Sequence, residues 1–558
     1  MSRIRILLLL TLASALCMAA PTPARAAARM DVRLVDPAAG AEIGWYHQEK
    51  NSYVFFLPAG LSADGLRVSL PGGLPMELDG RPLHDGDSAA GFTAGEQHQL
   101  SDGRRDYAIT LMQSENIPSL FLTTESKSRA YIHKKKGNAE TGAYVYYLPS
   151  GRVGAAGKLE YIKGRGNASF FFPKKPYQIK LDQKASMGGM AKARKWILIS
   201  NYQDRSLLRN KITMDMARAA GLLSTPESEF VDLYLNGEYQ GNYLLTEKIE
   251  IGEGRVDIAN LQKATEKVNG VSKLDVFPRK YNNPAKTNPS KSKYYDIPVD
   301  PGDITGGYLI EYESYYWRYQ DNPAAYATRR KAVLVIKSPK FPSKAQMAYI
   351  SDLLKRFEDA IFAKDGMDPD SGMHYTELAD LESLVLRYLV EEISENYDGN
   401  DSSLYFYKPA DSQSNLLHAG PAWDYDSSYG SYARNKGMAV LRPAGFFINA
   451  SSLRQHWWPA LYRQPDFAEA SARTYRQVFA PLLDELLGRA DPVHLGSLEQ
   501  YERLIAASAA MNFVRWPLTY TKNRAEIKLA LTHAGNVEIL ADFIAQRKAF
   551  LDIAWAEQ

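Results

Sequence analysis

The chain changes character near its middle, because short strand-like segments fill its first half and amphipathic helical segments fill its second. Strand segments alternate apolar and polar residues, whereas helical segments repeat apolar residues every three or four positions. A run of strands followed by a run of helices is typical of α+β proteins, in which the helices pack on one side or at one end of the sheets. The 558 residues also exceed what one compact core accommodates. We therefore predict an α+β protein of at least two domains.

Residues 27–128 show the strand pattern most clearly. Segments rich in β-branched and aromatic residues recur between turns of Gly, Pro and Asp, and these segments are Ser52–Leu57, Leu66–Leu70, Tyr107–Met112 and Leu120–Thr123. Such spacing predicts a small β-sandwich of the immunoglobulin-like type. No group of residues in this module is typical of catalysis, so we interpret it as a spacer or a binding module.

Residues 129–558 are predicted to form a second, larger domain. Its first part, up to about residue 255, combines strands with one helix that starts near Asp204 or Ser206 and stops at Gly221; the strands are Lys158–Lys163, Tyr177–Leu181, Trp196–Ile199, Phe230–Leu235 and Tyr243–Thr246. Residues 273–303 lack periodicity and are predicted to be a long surface loop or insertion. From residue 304 the chain is mainly helical, with helices predicted at Lys344–Lys364, Thr376–Glu395, Asp466–Arg489, Leu498–Phe513 and from Arg524 onward.

The N-terminus has the features of a secretory signal peptide. Arg3 and Arg5 precede the apolar run Ile6–Leu16, and Ala24 and Ala26 are the small residues that cleavage requires. The apolar run is too short to cross a bilayer comfortably. We therefore expect cleavage after residue 26, a secreted or periplasmic mature protein, and no integral membrane segment after cleavage.

Cleavage also changes the chemistry that is available to the mature chain. Three arginines are lost, which lowers the basic residues from 67 to the same number as the 64 acidic ones, so binding to nucleic acid is not expected. The single cysteine, Cys17, is lost as well. This excludes a thiolate metal site and a cysteine nucleophile in the mature protein.

A basic segment at Lys163–Lys180 is the first candidate for a functional site. Gly164 and Gly166 flank Arg165, and glycines let a backbone approach an anion closely. Lys180 ends an alternating strand, which would direct its side chain to one face of a sheet. Phosphate binding is one interpretation, and a solvated basic turn is the other.

Acidic residues on two later loops are the second candidate. Asp398 follows the predicted helix Thr376–Glu395, and Asp424 and Asp426 lie in the motif Trp423-Asp424-Tyr425-Asp426. Each loop could be an ordinary turn stabilised by its aspartate. Taken with the earlier basic strand, however, the loops provide what phosphoryl transfer requires: a lysine for phosphates, an aspartate near the acceptor hydroxyl and an aspartate for Mg²⁺.

The order of these motifs resembles the CotH kinase family, named after a spore-coat protein kinase. The resemblance covers about residues 118–430 and rests on five segments, which are Lys163–Lys180, Arg205–Lys211, Phe230–Glu250, Gly306–Glu311 and Gly420–Asp426. It implies an atypical protein-kinase-like fold, with a β-rich N-lobe at about residues 129–255, a helical C-lobe at about residues 304–558, and ATP bound between them with Mg²⁺ or Mn²⁺.

The resemblance also implies roles for individual residues. Lys180 would contact the nucleotide phosphates, Gly164, Arg165 and Gly166 would cover them, Asp398 would orient the acceptor hydroxyl, and Asp424 and Asp426 would bind the metal. Position 403 is Ser where kinases of this plan have a metal-binding Asn, and Asn400 or Asp401 could compensate. The predicted helix that ends at Gly221 contains no Glu to pair with Lys180, so Asp215 and Glu247 both stay candidates for that partner.

Three functions are compatible with these observations. The first is ATP-dependent phosphorylation of a Ser or Thr hydroxyl on an exported protein. The second is a surface adhesion or scaffold protein whose kinase-like domain is inert, a reading that Ser403 favours. The third is phosphoryl transfer to a sugar or another small hydroxyl compound, since a fold does not determine the acceptor. The presence of Lys180, Asp398 and Asp424 together favours an enzyme.

Overall fold

The computed structural model describes residues 32–49, 51–73, 75–281, 293–313, 324–400, 402–431, 442–449, 457–518 and 529–556. The predicted signal peptide, residues 1–26, lies outside these described residues, as does Asp401. Within them the chain is a mixed α+β protein with strands first and most helices later, which confirms the predicted class.

The N-terminal strands form one eight-stranded sheet. They are β1 (Arg33–Val35), β2 (Glu42–Glu49), β3 (Ser52–Leu57), β4 (Arg67–Ser69), β5 (Met76–Leu78), β6 (Arg81–Leu83), β7 (Gln97–Ser101) and β8 (Asp106–Gln113). Their order is β4-β1-β2-β3-β8-β7-β5-β6, and β3 pairs with β8 in parallel. The immunoglobulin-like topology of this module stays a prediction.

The next seven strands close into a barrel. They are β9 (Ser119–Thr124), β10 (Ala139–Tyr147), β11 (Val153–Gly164), β12 (Tyr177–Ala185), β13 (Ala193–Ile199), β14 (Ser228–Leu235) and β15 (Glu238–Glu247), in the order β10-β11-β12-β13-β15-β14-β9. Strand β9 falls before residue 128, within the predicted N-terminal module, but it pairs with β10 and β14. It is buried on both faces, because Leu120 and Leu122 point into the barrel core whereas Phe121 packs with the core of the first sheet.

Three helices accompany the barrel and the segment after it: α1 (Ala130–Lys134), α2 (Arg209–Ala219) and α3 (Leu261–Val268). Helix α2 starts later than the predicted Asp204 or Ser206. The carboxylate of Asp204 instead accepts the backbone N–H groups of Ser206 (2.9 Å) and Arg209 (2.8 Å), so a capped turn precedes the helix.

The predicted insertion at residues 273–303 contains two short strands rather than loop alone. Strands β16 (Arg279–Tyr281) and β17 (Lys293–Tyr295) pair with each other, and residues 282–292 lie outside the described part of the chain. Tyr295 is buried and donates its backbone N–H to the carbonyl of Pro342 at 2.8 Å. This contact fixes one end of the insertion to the C-terminal part of the chain.

The C-terminal part combines a second sheet with helices. The sheet has the order β19-β20-β18-β21-β22 and consists of β18 (Tyr308–Tyr312), β19 (Ala325–Ala327), β20 (Val333–Ser338), β21 (Leu404–Lys408) and β22 (His418–Ala419). The helices are α4 (Lys344–Phe362), α5 (Tyr375–Leu378), α6 (Leu381–Ser394), α7 (Trp457–Tyr462), α8 (Pro465–Thr474), α9 (Ala480–Leu486), α10 (Leu498–Arg515) and α11 (His533–Ala554). None of the helices among the described residues is both long and apolar enough to span a membrane.

Two of the predicted helices are interrupted. The helix predicted at Thr376–Glu395 consists of α5 and α6, because Asp380 caps α6 by accepting the N–H of Ser383 at 2.8 Å. The helix predicted at Asp466–Arg489 is divided into α8 and α9 by a π-helical turn at Tyr475–Phe479. One hydrophobic core joins α2 to the C-terminal helices and sheet, which fixes the barrel side of the molecule relative to the helical side.

Candidate active site

A cleft of about 450 Å³ lies between the glycine-containing turn after β11 and the loops that follow α6 and β22. It collects seven of the nine predicted site residues, which are Gly164, Arg165, Gly166, Asp398, Ser403, Asp424 and Asp426. The described residues that line it do not include Lys180 or Glu247. The tertiary structure therefore brings the acidic loops to Arg165 rather than to Lys180.

Hydrogen bonds to backbone carbonyls hold the two acidic loops side by side. Helix α6 ends at Ser394, and the next residue, Glu395, adopts a left-handed conformation (φ 46°) that turns the chain into the loop carrying Asp398. The N–H of Tyr397 donates to the carbonyl of Ser427 (3.1 Å), and the Asn396 amide donates to the carbonyl of Asp424 (3.2 Å). These bonds set the separation between Asp398 and Asp424 without involving either carboxylate.

Tyr425 anchors the second acidic loop to the helical core. Its side chain is fully buried, and its hydroxyl donates to Glu391 (3.1 Å) and accepts from Arg387 (2.9 Å), two residues of α6 that also form a buried ion pair. Asp424, the residue before Tyr425, has φ 71°, in the left-handed region that Asp adopts more readily than most residues, so the backbone changes direction there. With Tyr425 directed into the core, Asp424 and Asp426 both line the cleft.

The electrostatics of the two aspartates favour a cation between them. Burial, together with the negative charges of Asp424, Asp204 and Asp398, raises the pKa of Asp426 to about 8. Burial also raises the pKa of Asp424, against the opposing effect of Arg165. Neighbouring carboxylates on a partly buried loop repel each other unless a proton or a metal ion lies nearby.

The residues present fit a magnesium site that a nucleotide completes. Mg²⁺ in phosphoryl-transfer enzymes takes one or two carboxylates and receives its other ligands from phosphates and water. Asp424 and Asp426 would supply the carboxylates, and the Ser403 hydroxyl donates to Asp424 at 3.1 Å. Across the described ranges, no three acidic or imidazole side chains converge closely enough to hold a metal by themselves. Asn400, whose side chain is not described, and Asp401, which lies outside the described residues, stay predictions as compensating ligands.

Arg165 reaches the cleft through its guanidinium group. Its backbone N–H donates to the carbonyl of Pro176 (3.1 Å), and its guanidinium lies 5.4 Å from the centre of the Trp423 ring. Gly166 has φ 89°, a conformation that glycine adopts easily. The glycine-containing turn therefore presents a side-chain cation to the cleft, and the approach of its backbone to an anion stays a prediction.

Further cations at the cleft favour an anionic ligand. Lys163 lines it, and burial together with the charges of Lys340, Arg165 and Lys195 lowers the pKa of the Lys163 ammonium group. Cations that crowd each other in this way gain when a phosphate neutralises them. The cleft therefore has basic and acidic walls, as a metal-bound polyphosphate requires.

Lys180 and its proposed partners, Asp215 and Glu247, are not among the described residues that line the cleft. The Lys180 ammonium forms an ion pair with Glu160, a residue of the neighbouring strand β11. Glu247 accepts the backbone N–H of Glu227 at 3.1 Å and lies 3.8 Å from Arg255. Asp215 pairs with Lys211 and accepts a hydrogen bond from Tyr501. On β12 it is Gln178, two residues before Lys180, that lines the cleft.

Glu311, Lys337 and Tyr405 are among the cleft residues that were not identified as site residues from the sequence. Glu311 and Tyr405 are opposite each other in the β18–β21 ladder, and Lys337 pairs with Glu311 at 2.7 Å. Glu311 ends the segment Gly306–Glu311 that contributed to the family resemblance, which was a signal of its importance. Lys337 directly follows the apolar run Val333–Ile336, and nothing in that pattern distinguished it from an exposed residue at the end of a strand.

Two comparisons relate this chain to known proteins. Residues 162–300 and 302–551 match the family model described as CotH kinase protein. Inner spore coat protein H of Bacillus subtilis (strain 168) is 37% identical over 89 residues, which make up 16% of this chain and 24% of that protein. The matched segment thus spans about a quarter of that relative.

Proposed function

Because this chain belongs to the CotH kinase family, we propose that it transfers the γ-phosphoryl group of ATP to a serine or threonine hydroxyl of an exported protein. The observation that carries the proposal is that one cleft contains Asp398, Asp424 and Asp426 next to the cations Arg165 and Lys163. Phosphoryl transfer depends on this combination, since the enzyme mainly positions the reactants and balances charge.

In this proposal each residue has a distinct task. Asp424 and Asp426, with the Ser403 hydroxyl, hold Mg²⁺ or Mn²⁺, and the metal supplies charge neutralisation at the phosphates when bound. Arg165 and Lys163 bind phosphate oxygens from the barrel side. Asp398 accepts the proton of the acceptor hydroxyl. The oxygen of that hydroxyl then bonds to the γ-phosphorus, while the bond between the γ-phosphorus and the oxygen bridging to the β-phosphate breaks, which releases ADP.

The proposed location is outside the cytoplasm. The sequence pattern of a signal peptide at residues 1–26 supports secretion, and the relative from Bacillus subtilis is named as a spore coat protein. N-terminal sequencing of the exported protein would begin within a few residues of Ala27. A product that begins at Met1 and remains in the membrane fraction would contradict this location.

A binding protein with an inert kinase-like domain is the second candidate. Ser403, in place of the expected metal-binding Asn, favours it, because a hydroxyl is a weaker metal ligand than an amide oxygen and this one already donates to Asp424. In that case the N-terminal sheet would bind the partner and the cleft would transfer nothing.

Incubation of the purified protein with γ-labelled ATP and Mg²⁺ or Mn²⁺ tests the two candidates. The enzyme is expected to label itself, and a variant with Asp398→Asn and Asp424→Asn is the matched control, since both changes keep side-chain size while removing charge. Wild-type protein that binds ATP but transfers no label with either metal would support the inert binding protein.

A further inference from the structure

One wall of the cleft is a row of side chains on the C-terminal sheet. Glu311 lies in the middle strand β18, directly opposite Tyr405 in β21 and Val335 in β20. Residues opposite each other in a ladder project from the same face of a sheet. Lys337, two residues beyond Val335, shares that face, and a register shift between Leu309 and Ile310 places Lys337 in a β-bulge. Bulges are common beside active sites, where they redirect a side chain.

The row is organised around a buried carboxylate. Glu311 is 4% exposed, its Oε2 atom lies 2.7 Å from the Lys337 ammonium, and Tyr405 hydrogen-bonds to it. Burial, together with the charge of Glu311, raises the pKa of the Tyr405 hydroxyl, so that hydroxyl stays a neutral donor. A buried carboxylate held by a cation and a hydroxyl forms a rigid support, because leaving the charge unpaired would be strongly unfavourable.

The same row faces the other charged groups of the cleft. Burial lowers the pKa of the Arg165 guanidinium, and the negative charges of Asp424 and Glu311 oppose this effect. Glu311 also contributes to the raised pKa of Asp424. Lys337 thus shares the cleft with the two acidic loops, whereas Lys180 pairs with Glu160.

We infer that Lys337, positioned by Glu311 and Tyr405, contacts the nucleotide phosphates from the C-terminal sheet, together with Arg165 and Lys163 from the barrel side. The inference rests on the proposed function, since it requires ATP in the cleft. A lysine ammonium has three N–H donors, so its pairing with Glu311 is compatible with a phosphate contact. The Lys337 side chain is 30% exposed, which leaves it accessible from the cleft. Lys337 then acts on the substrate, and Glu311 is a positioning residue.

Calorimetry of ATP and adenosine binding tests this role. Lys337→Met keeps the aliphatic stem and removes the charge, and we expect it to weaken Mg·ATP binding about 10-fold, the typical effect of losing one charge-assisted hydrogen bond. Adenosine has no phosphates, so its affinity is expected to be unchanged. Lys180→Met is the matched control on the barrel and is expected to bind ATP as the wild type does.

A second variant guards against misfolding of the first. Lys337→Met leaves Glu311 without the Lys337 cation. The double variant Glu311→Gln with Lys337→Met removes both charges and keeps the side-chain volumes similar. We expect it to keep the wild-type melting temperature and to lose ATP affinity. Lys337→Arg is expected to restore part of that affinity, which a purely structural role would not explain. Unchanged ATP affinity in Lys337→Met and in the double variant would overturn the inference. An equal loss of affinity in Lys180→Met would overturn it as well. Failure of the wild-type protein to bind ATP at all would instead overturn the proposed function.

Discussion

The side-chain amide of Asn210 donates to a carboxylate oxygen of Asp426, and its carbonyl oxygen accepts the backbone N–H of Tyr425 at 2.8 Å. The same amide group also donates to Asn201 at 3.0 Å. Helix α2 therefore positions the loop that carries both candidate metal ligands, from the opposite side to α6. The geometry of the acidic site depends on a residue that lies more than 200 positions away in the chain.

Asn210→Ala removes both bonds to this loop. We expect the KM for Mg·ATP to rise about 30-fold, because the two hydrogen bonds contribute about 1 kcal/mol each and 1.4 kcal/mol corresponds to a factor of ten. Steady-state kinetics over a range of Mg²⁺ concentrations measures this. Asn138→Ala is the control, since the Asn138 amide donates to the carbonyl of Tyr131, outside the cleft lining. An unchanged KM in Asn210→Ala would contradict a positioning role.

Substitution of the two loop aspartates should separate catalysis from binding. Asp398→Asn is expected to lower kcat by about 100-fold or more and to leave ATP affinity nearly intact, because a proton acceptor acts chiefly in the transition state. Asp424→Asn is expected to weaken metal-dependent ATP binding and turnover together. Calorimetry and phosphoryl-transfer rates on both variants provide the comparison. Wild-type turnover in Asp398→Asn would show that its assigned role is wrong.

The stability of the metal-free protein should depend on pH through Asp426. Its pKa is about 8 in the folded state against 3.8 for an unperturbed Asp, so the folded protein retains a proton that the unfolded chain releases. Stability from this group therefore falls as the pH rises from about 4 to 8 and then levels off. Asp426→Asn cannot ionise, and its melting temperature should exceed that of the wild type most at pH 8 and least near pH 4.

Thermal unfolding in chelator across this pH range tests the effect. Asp106 is exposed, so Asp106→Asn serves as a control, and its melting temperature is expected to depend on pH as that of the wild type does. Added Mg²⁺ should reduce the difference at pH 8, since a cation replaces the missing proton. A constant difference between Asp426→Asn and the wild type at every pH would exclude titration of Asp426 as the cause.

Ser403→Asn should strengthen metal binding. Ser403 has φ 61°, in the left-handed region that Asn tolerates better than most residues, so the backbone accommodates the change. An amide oxygen is a better Mg²⁺ ligand than a hydroxyl, and we expect the Mg²⁺ concentration for half-maximal activity to fall several-fold. Ser403→Ala removes the donor to Asp424 and is expected to change it in the opposite direction. If both variants need the same Mg²⁺ concentration for half-maximal activity as the wild type, Ser403 does not contribute to the metal site.

Local patterns in the sequence were sufficient for the class of the fold and for much of the acidic site. Strand Ser52–Leu57 was predicted with its observed bounds, because its alternation and the flanking turns depend only on neighbouring residues. Asp398, Asp424 and Asp426 were identified for a similar reason, since each follows a helix or strand on a short loop. The interruption of the helix at Asp380 was not predicted, because helical periodicity continues across a capped break.

Tertiary structure alone decided which residues meet. Alternation along a strand directs Lys180 to one face of β12, but it does not determine which loop approaches that face, and the observed neighbour is Glu160. Lys337 and Glu311 are 26 residues apart in the chain, and only the pairing of β18 with β20 brings them together in the cleft. Strand Ser119–Thr124 is a similar case, because its two faces pack against two different hydrophobic cores. Those cores form from segments far apart in the chain, so the local pattern did not show that the strand belongs to the barrel.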